Sequence, residues 1–240
     1  MSALCVLAMT IALSGQAAAK GRGRAPEPGV FPIDSSPLGN SYGDWSAAWW
    51  QWAFALPVEG HPLVDETGAQ CGAGQAGNVW FLGGVFNESG TAVRTECTIP
   101  AGKALFFPIL NVECSNAEGD GDSYTSLGAC TEFFMGGATG LKLSIDGVQV
   151  EDLLDRFRVK SGTFGFTLPA DNLLGAPAGT CFSDGDGSCE PYLSVSEGVY
   201  VMLAPLSPGA HTIRLRGSFV FPDLGFEFSL DVTYELTVAA

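Results

Sequence analysis

The stretch Phe226 to Val238, FEFSLDVTYELTV, alternates without a break. Phe226, Phe228, Leu230, Val232, Tyr234, Leu236 and Val238 fall on one side of an extended chain, and Glu227, Ser229, Asp231, Thr233, Glu235 and Thr237 on the other. A period of two belongs to a strand with one buried and one wet face. Immediately upstream, His211 to Arg216 alternates in the same way, with Ile213 and Leu215 opposed to Thr212, Arg214 and Arg216, and Ser207-Pro208-Gly209-Ala210 supplies a turn before it.

Further strands are expected at Val79 to Phe86, Ala104 to Val112, Leu141 to Ile145, Thr163 to Leu168 and Val199 to Leu203. The nearly continuous apolar run Ala104 to Leu110 suits a central strand covered on both faces. Asp146-Gly147 is a hairpin signal, and Asn87 to Gly90 reads as a second. Two segments read as helices: the tryptophan-rich Ser41 to Pro57, and Ser126 to Met135. Many strands, turns rich in Gly and Pro, and few helices predict an all-β fold. The expected architecture is an antiparallel β-sandwich, jelly-roll or Ig-like, with one Trp-rich helix packed against it.

Residues 1–19 are apolar or small and carry no charge, ending on Ala17-Ala18-Ala19 before Lys20, which is a secretory signal pattern. Residues 20–40, basic and then rich in Pro and Gly, read as a flexible leader that becomes ordered near Phe31. Residues 41–240 read as a single domain that includes the helix at 42–56; a split near Gly136 to Gly140 has no linker composition to mark it. Loss of the signal removes Cys5 and leaves Cys71, Cys97, Cys114, Cys130, Cys181 and Cys189. In an exported chain an even set reads as disulfides, with sequential pairing preferred among the connectivities open to six cysteines. A net charge of -15 argues against nucleic acid and anionic membranes as partners. Secretion to the periplasm, cell surface or medium is expected, with no transmembrane anchor once the signal is gone and the oligomeric state left open.

In the segment SYGDWSAAWWQWAFALP, Ser41 and Asp44 have the spacing of a capping box, and Pro57 ends the helix. At 100° per residue Trp45, Trp49, Trp52 and Leu56 share one face and read as packing, while Trp50 and Phe54 project from the opposite side. That second pair lies either under the loop Val58 to Gly77 or exposed as a platform for sugar rings, so Trp50 and Phe54 are the candidate binding residues.

Two acidic stretches alternate with glycine, one holding Asp120 and Asp122 and the other Asp184 and Asp186. Both resemble the start of a calcium loop, and neither completes the twelve-residue pattern. No other cofactor is indicated. For catalysis, Glu113 at the end of the apolar strand is the first carboxylate to consider, with Arg94 and Glu96 upstream as partners in a carboxylate-pair site. No nucleophile elbow or Ser-His-Asp arrangement can be assembled from His61 and His211.

Taken together, YGDWSAAWWQWAFALP, GNVWFLGGVF, CTIPAGKALFFPILNVEC and LSPGAHTIRLRGSF followed by FSLDVTYELTV resemble an uncharacterised family of exported bacterial proteins with a W-S-x-x-W-W-Q-W-A segment near the mature N-terminus. The resemblance implies export and a β-rich domain and brings no catalytic residues. The leading expectation is a disulfide-stabilised binding protein acting on an extracellular glycan or surface polymer. The alternatives are a secreted carbohydrate-active enzyme and a structural envelope protein.

Overall fold

The computed structural model describes residues 28–182 and 188–240. The signal segment and residues 20–27 of the leader lie outside the described residues. The described residues are mostly β, arranged in two larger sheets that share one apolar core, with three α-helices and a small third sheet among them.

The first sheet has the order β1 (Val79–Phe81), β4 (Ala104–Ser115), β10 (Ser194–Leu203), β7 (Arg158–Lys160). The apolar run at Ala104 places β4 inside this sheet, and Ala104 to Leu110 is buried throughout, as is the whole of β10. The second sheet runs β2 (Thr91–Arg94), β12 (Phe226–Val238), β11 (Gly209–Phe221), β5 (Ala138–Ile145), β6 (Val148–Val150), with β3 (Thr98–Ile99) also on β12. β11 and β12 form one long hairpin in constant register, from Gly209 opposite Val238 to Phe221 opposite Phe226. The alternation of β12 holds from Leu230 onward, where the face of Leu230, Val232, Tyr234, Leu236 and Val238 enters the core; Phe226 extends past the core's edge and is exposed. Gly217 of β11 faces Leu110 of β4, where a Cβ would lie 3.3 Å from Leu110 Cβ and need Leu110 to give way. β8 (Cys181–Phe182) and β9 (Glu190–Pro191) pair separately.

Three pairings depart from the antiparallel arrangement expected: β1 with β4, and β2 and β3 with β12, are parallel, so both large sheets are mixed. The Asn87 to Gly90 turn therefore does not close a hairpin; it delivers β2 to the far strand β12. At this turn Gly90 has φ +63°, and a Cβ there would lie 1.9 Å from the carbonyl oxygen of Ser229. Only glycine allows that approach. Asp146-Gly147 does form the two-residue hairpin between β5 and β6, with φ of 50° and 78°. The segment Thr163 to Leu168 buries alternate residues Phe164, Phe166 and Leu168, yet makes only isolated bridges, Phe164 to Ser194 and Leu168 to Gly179.

Helix α1 is Tyr42–Phe54, α2 is Tyr124–Gly136, and the five-residue α3, Leu153–Phe157, has no counterpart in the sequence reading. The capping box of α1 is formed: Ser41 N donates to Asp44 Oδ2 at 3.0 Å and Asp44 N to Ser41 Oγ at 3.1 Å. The Tyr42 hydroxyl donates to Phe31 O and accepts from Met202 N, and Val30 bridges Leu203, so the end of the leader lies along β10. Three disulfides join Cys71 to Cys97, Cys114 to Cys130 and Cys181 to Cys189, the sequential set. They fit an oxidising compartment. No helix among the described residues is long and apolar enough to cross a membrane.

Candidate functional site

Helix α1 packs on β4, β7 and β10 and is covered on its other sides by loops. Each of its indole N–H groups has an acceptor: Trp45 bonds Pro37 O, Trp49 bonds Leu82 O, Trp52 bonds Ala73 O, and Trp50 bonds the Tyr200 hydroxyl at 3.1 Å. It is Trp52 that lies against the loop Val58 to Gly77, while Trp50 meets Tyr200 and Phe54 meets Phe166 with ring centroids 4.7 Å apart. His61, in the same loop and fully buried, donates from Nε2 to Ala53 O and accepts at Nδ1 from Leu63 N, both at 2.9 Å. Burial holds its pKa below the ordinary histidine value, which keeps this neutral tautomer in place.

Trp50 is 7% exposed and Phe54 1%. They are not the open platform for sugar rings that the two-faced helix suggested, because rings with that little accessible surface cannot be stacked upon face to face. They instead lie at the floor of a cavity of about 540 Å³. Behind the floor, Tyr200 accepts from Trp50 and from Asn111 Nδ2 and bonds the Ser196 hydroxyl, and burial pushes its phenol up to about 12.

The cavity has an acidic end. Glu113 stands near the end of β4, and the chain then turns sharply: Glu118 N and Asp120 N both donate to Ser115 O. This turn folds Glu118 and Asp120 back toward β4, where the Ser115 hydroxyl donates to Glu118 Oε2 at 3.0 Å and Ser115 N to Asp120 Oδ2 at 3.1 Å. Glu113 accepts a short hydrogen bond from the Ser194 hydroxyl and shares another with Glu118. Desolvation by burial raises the Glu113 pKa well above the carboxylate range; the hydrogen bond and charge of Glu118 add to it, Ser194 opposes it, and Asp120 adds a further contribution. Glu113 therefore keeps its proton to a higher pH than an ordinary carboxyl, with Glu118 beside it.

The rim is apolar and mostly exposed: Phe86, Phe134, which is 39% exposed, and Phe226 at the overhanging end of β12. Phe134 is carried there by α2, which the Cys114–Cys130 disulfide fastens to β4 one turn away. Leu173 and Leu174 complete the wall on a loop organised by buried Asn172, whose side chain bonds Pro169 O, Ala176 O and the N–H groups of Leu174 and Ala176.

The structure thus brings together Trp50, Phe54, Glu113 and Asp120, four of the residues singled out in the sequence. It sets Arg94 and Glu96 apart from them. Arg94, 1% exposed, donates to the carbonyls of Asp65, Pro62, Gly83 and Gly84 and to the Tyr234 hydroxyl, and it lies over the Tyr234 ring. It fastens a loop and β12 to the segment after β1, so the Gly83 and Gly84 carbonyls serve the guanidinium and the expected strand stops at Phe81. Glu96 is exposed beside an open trough on the second sheet. A glycosidase pair needs its carboxyls about 5–5.5 Å apart for retention or about 6.5–9.5 Å for inversion. Glu113 lines the cavity and Glu96 the trough on the second sheet, so the two expected carboxyls do not form such a pair.

Asp120 also converges with Cys114 and Cys130, but both sulfurs are committed to the disulfide and are not thiolate ligands. Asp122 is exposed beside the N-cap of α2, and Asp184 and Asp186 lie outside the described residues. Phe86, Phe134 and Phe226 carry no site signal in the sequence, and Glu118 shows there only as the first acid of the stretch that holds Asp120 and Asp122. No family model, characterised protein or solved structure matches the chain.

Proposed function

We propose that the chain is an exported binding protein, built on a two-layer β-sandwich, whose ligand enters the cavity between the phenylalanine rim and Glu113. The observation that carries this reading is the cavity itself: an apolar floor and rim with hydrogen-bonding carboxyls confined to one end. Ligand pockets in general are of this size and composition. A sugar residue at the end of an extracellular glycan or surface polymer meets these terms, with its C–H face against Phe134 and Phe226 and its hydroxyls on Glu113, Glu118 and Asp120. A Glu113 carboxyl that keeps its proton to higher pH, with the Glu118 and Asp120 oxygens beside it, offers both a donor and acceptors to such hydroxyls.

The reading uses no metal. Equilibrium dialysis with millimolar calcium decides separately whether Asp120–Asp122 or Asp184–Asp186 takes an ion. Its own test is a glycan array and an insoluble-polysaccharide pull-down of the wild type beside Phe134→Ala and Glu118→Gln. Retention by the wild type that both variants lose at unchanged circular dichroism supports it. No retention on any glycan, or retention indifferent to both changes, overturns the glycan version.

A second reading, a subunit of an envelope layer, draws on the exposed rings of Phe133, Phe134 and Phe226 gathered around half-buried Phe221. Concentration-dependent assembly on sizing that Phe133→Ser abolishes favours it, and a monomer at all concentrations ends it.

A further inference from the structure

The chain has 11 Lys and Arg against 26 Asp and Glu, yet three of those cations stand together on the outer face of the second sheet. Lys142 of β5 is directly opposite Arg216 of β11, and Arg214 lies two residues along the same face. Like charges opposed across a ladder are destabilising, so packing gives no reason for the arrangement. One carboxylate enters it: Asp231 of β12, opposite Arg216, meets Arg214 at 2.7 Å and Arg216 at 3.0 Å. The Lys142 ammonium has no hydrogen bond or ion pair among the described residues. The strip is therefore locally cationic on a strongly acidic protein.

It also borders open space. A trough of about 300 Å³ runs along Lys142, Arg216, Ser218 and Ser229. It adjoins a second of about 560 Å³ that shares Thr91 and Asp231 and continues past Arg214 and Thr233 to Glu96. Both are lined mainly by hydroxyls and charge, and no aromatic ring lines either among the described residues. A single-stranded nucleic acid would find no platform for stacking its bases there.

We propose that this trough binds an extended acidic polysaccharide, with its carboxylate or sulfate groups at Lys142 and Arg216 and its hydroxyls on Ser218, Ser229 and Thr91. The site shares no residue with the cavity over Trp50 and stands or falls independently of it. At about 0.1 M salt the Debye length is about 10 Å, so the protein's remaining negative charge is screened while contacts at the strip are not. The acidic groups of Glu96 and its neighbour Glu66 repel the polymer's anionic groups from the far end, which places those groups at the Lys142 end.

The test is affinity electrophoresis of the full chain at about 0.1 M salt through gels holding polygalacturonate, dextran sulfate or neutral dextran. Retardation is expected in at least one anionic gel and not in neutral dextran, and the anionic gel that retards more identifies the group. Lys142→Ser, which leaves the Arg216–Asp231 pair in place, is expected to weaken binding about tenfold, and Lys142→Ser/Arg216→Ser to abolish it. Lys103→Ser, off this face, is expected to bind as the wild type does. Because Lys142→Ser removes a like-charge contact, its melting temperature should equal or exceed the wild type's, so lost binding is not lost folding. No retardation by either anionic polymer, or retardation unchanged in the double variant, overturns the proposal. So does an oligothymidylate that binds as tightly with the same sensitivity to Lys142→Ser.

Discussion

Replacing Glu113 by Gln should make the protein more stable near neutral pH and leave it little changed in acid. In the folded state Glu113 keeps its proton to a pH well above the ordinary carboxylate range, because it is desolvated and faces Glu118 and Asp120. In the unfolded chain it titrates near the ordinary glutamate value of 4.5. Between those two points the folded state holds one more proton than the unfolded state, so stability falls as pH rises. The slope for one proton is about 1.36 kcal/mol per pH unit. The contribution is fully present below the unfolded pKa and is lost as pH rises through the raised, folded one. Glutamine cannot ionise and keeps a similar shape, so the stability difference between variant and wild type should grow with that slope from about pH 4.5 upward and then level off. Carboxylates whose folded pKa is lowered, among them Asp65, Asp146 and Asp231, give slopes of the opposite sign that are common to both proteins and cancel in the difference. Urea unfolding followed by tryptophan fluorescence, at half-unit steps of pH, measures it. A difference that stays flat with pH, or a variant less stable than wild type at neutrality, refutes the raised titration of Glu113 in the acidic end.

Other perturbations have equally definite outcomes. His61 shows the opposite pH sense: burial lowers its folded pKa below 6.5, so its contribution is present above that value and lost as pH falls through it. His61→Asn should remove the part of the acid slope that begins near there. Arg94→Ala leaves four carbonyls and a hydroxyl without their donor in a buried site and should cost on the order of 3–5 kcal/mol, and Lys should not rescue it, having three donors where five bonds are made. Denaturant midpoints of the three proteins decide this. Replacing both Cys114 and Cys130 by Ser opens a loop of sequence separation 16 and should cost about 3 kcal/mol. Because α2 also carries Phe134, the same variant should lose ligand retention before it loses its circular dichroism signal. Gly90→Ala should be strongly destabilising in a thermal melt, since its Cβ meets the Ser229 carbonyl and its φ is positive.

How far the sequence reveals this molecule depends on whether the signal is local. β12, the covered strand β4, the Asp146-Gly147 hairpin and the Ser41–Asp44 cap were all legible, because alternation, an apolar run, a turn pair and a capping spacing each act within a few residues. The parallel pairings of β2 and β3 with β12 were not. Alternation says which face of a strand is buried and nothing about which distant strand lies beside it. α3 is too short to show a period, and the residue before it, Asp152, has φ of 57°. Helical geometry separates Trp50 and Phe54 from Trp49 and Trp52 but leaves open whether that second face is covered or exposed, and the structure covers it, since a helix can be covered on several sides at once. Glu113 stood out as a carboxylate closing an apolar run, whereas its partner Glu118 depended on a turn's path. Arg94 looked like catalytic equipment because its five acceptors, mostly backbone carbonyls, leave no mark in the sequence.

The central claim is that a ligand occupies the space over Trp50. Its most direct measurement is the tryptophan fluorescence of the wild type and Trp50→Phe, each titrated with the glycan that the array retains most strongly. The account predicts a saturable emission change in the wild type that is lost or greatly reduced in Trp50→Phe while retention on the array persists. A saturable change of the same size in both proteins, or binding with no change in either, would place the ligand elsewhere and contradict it.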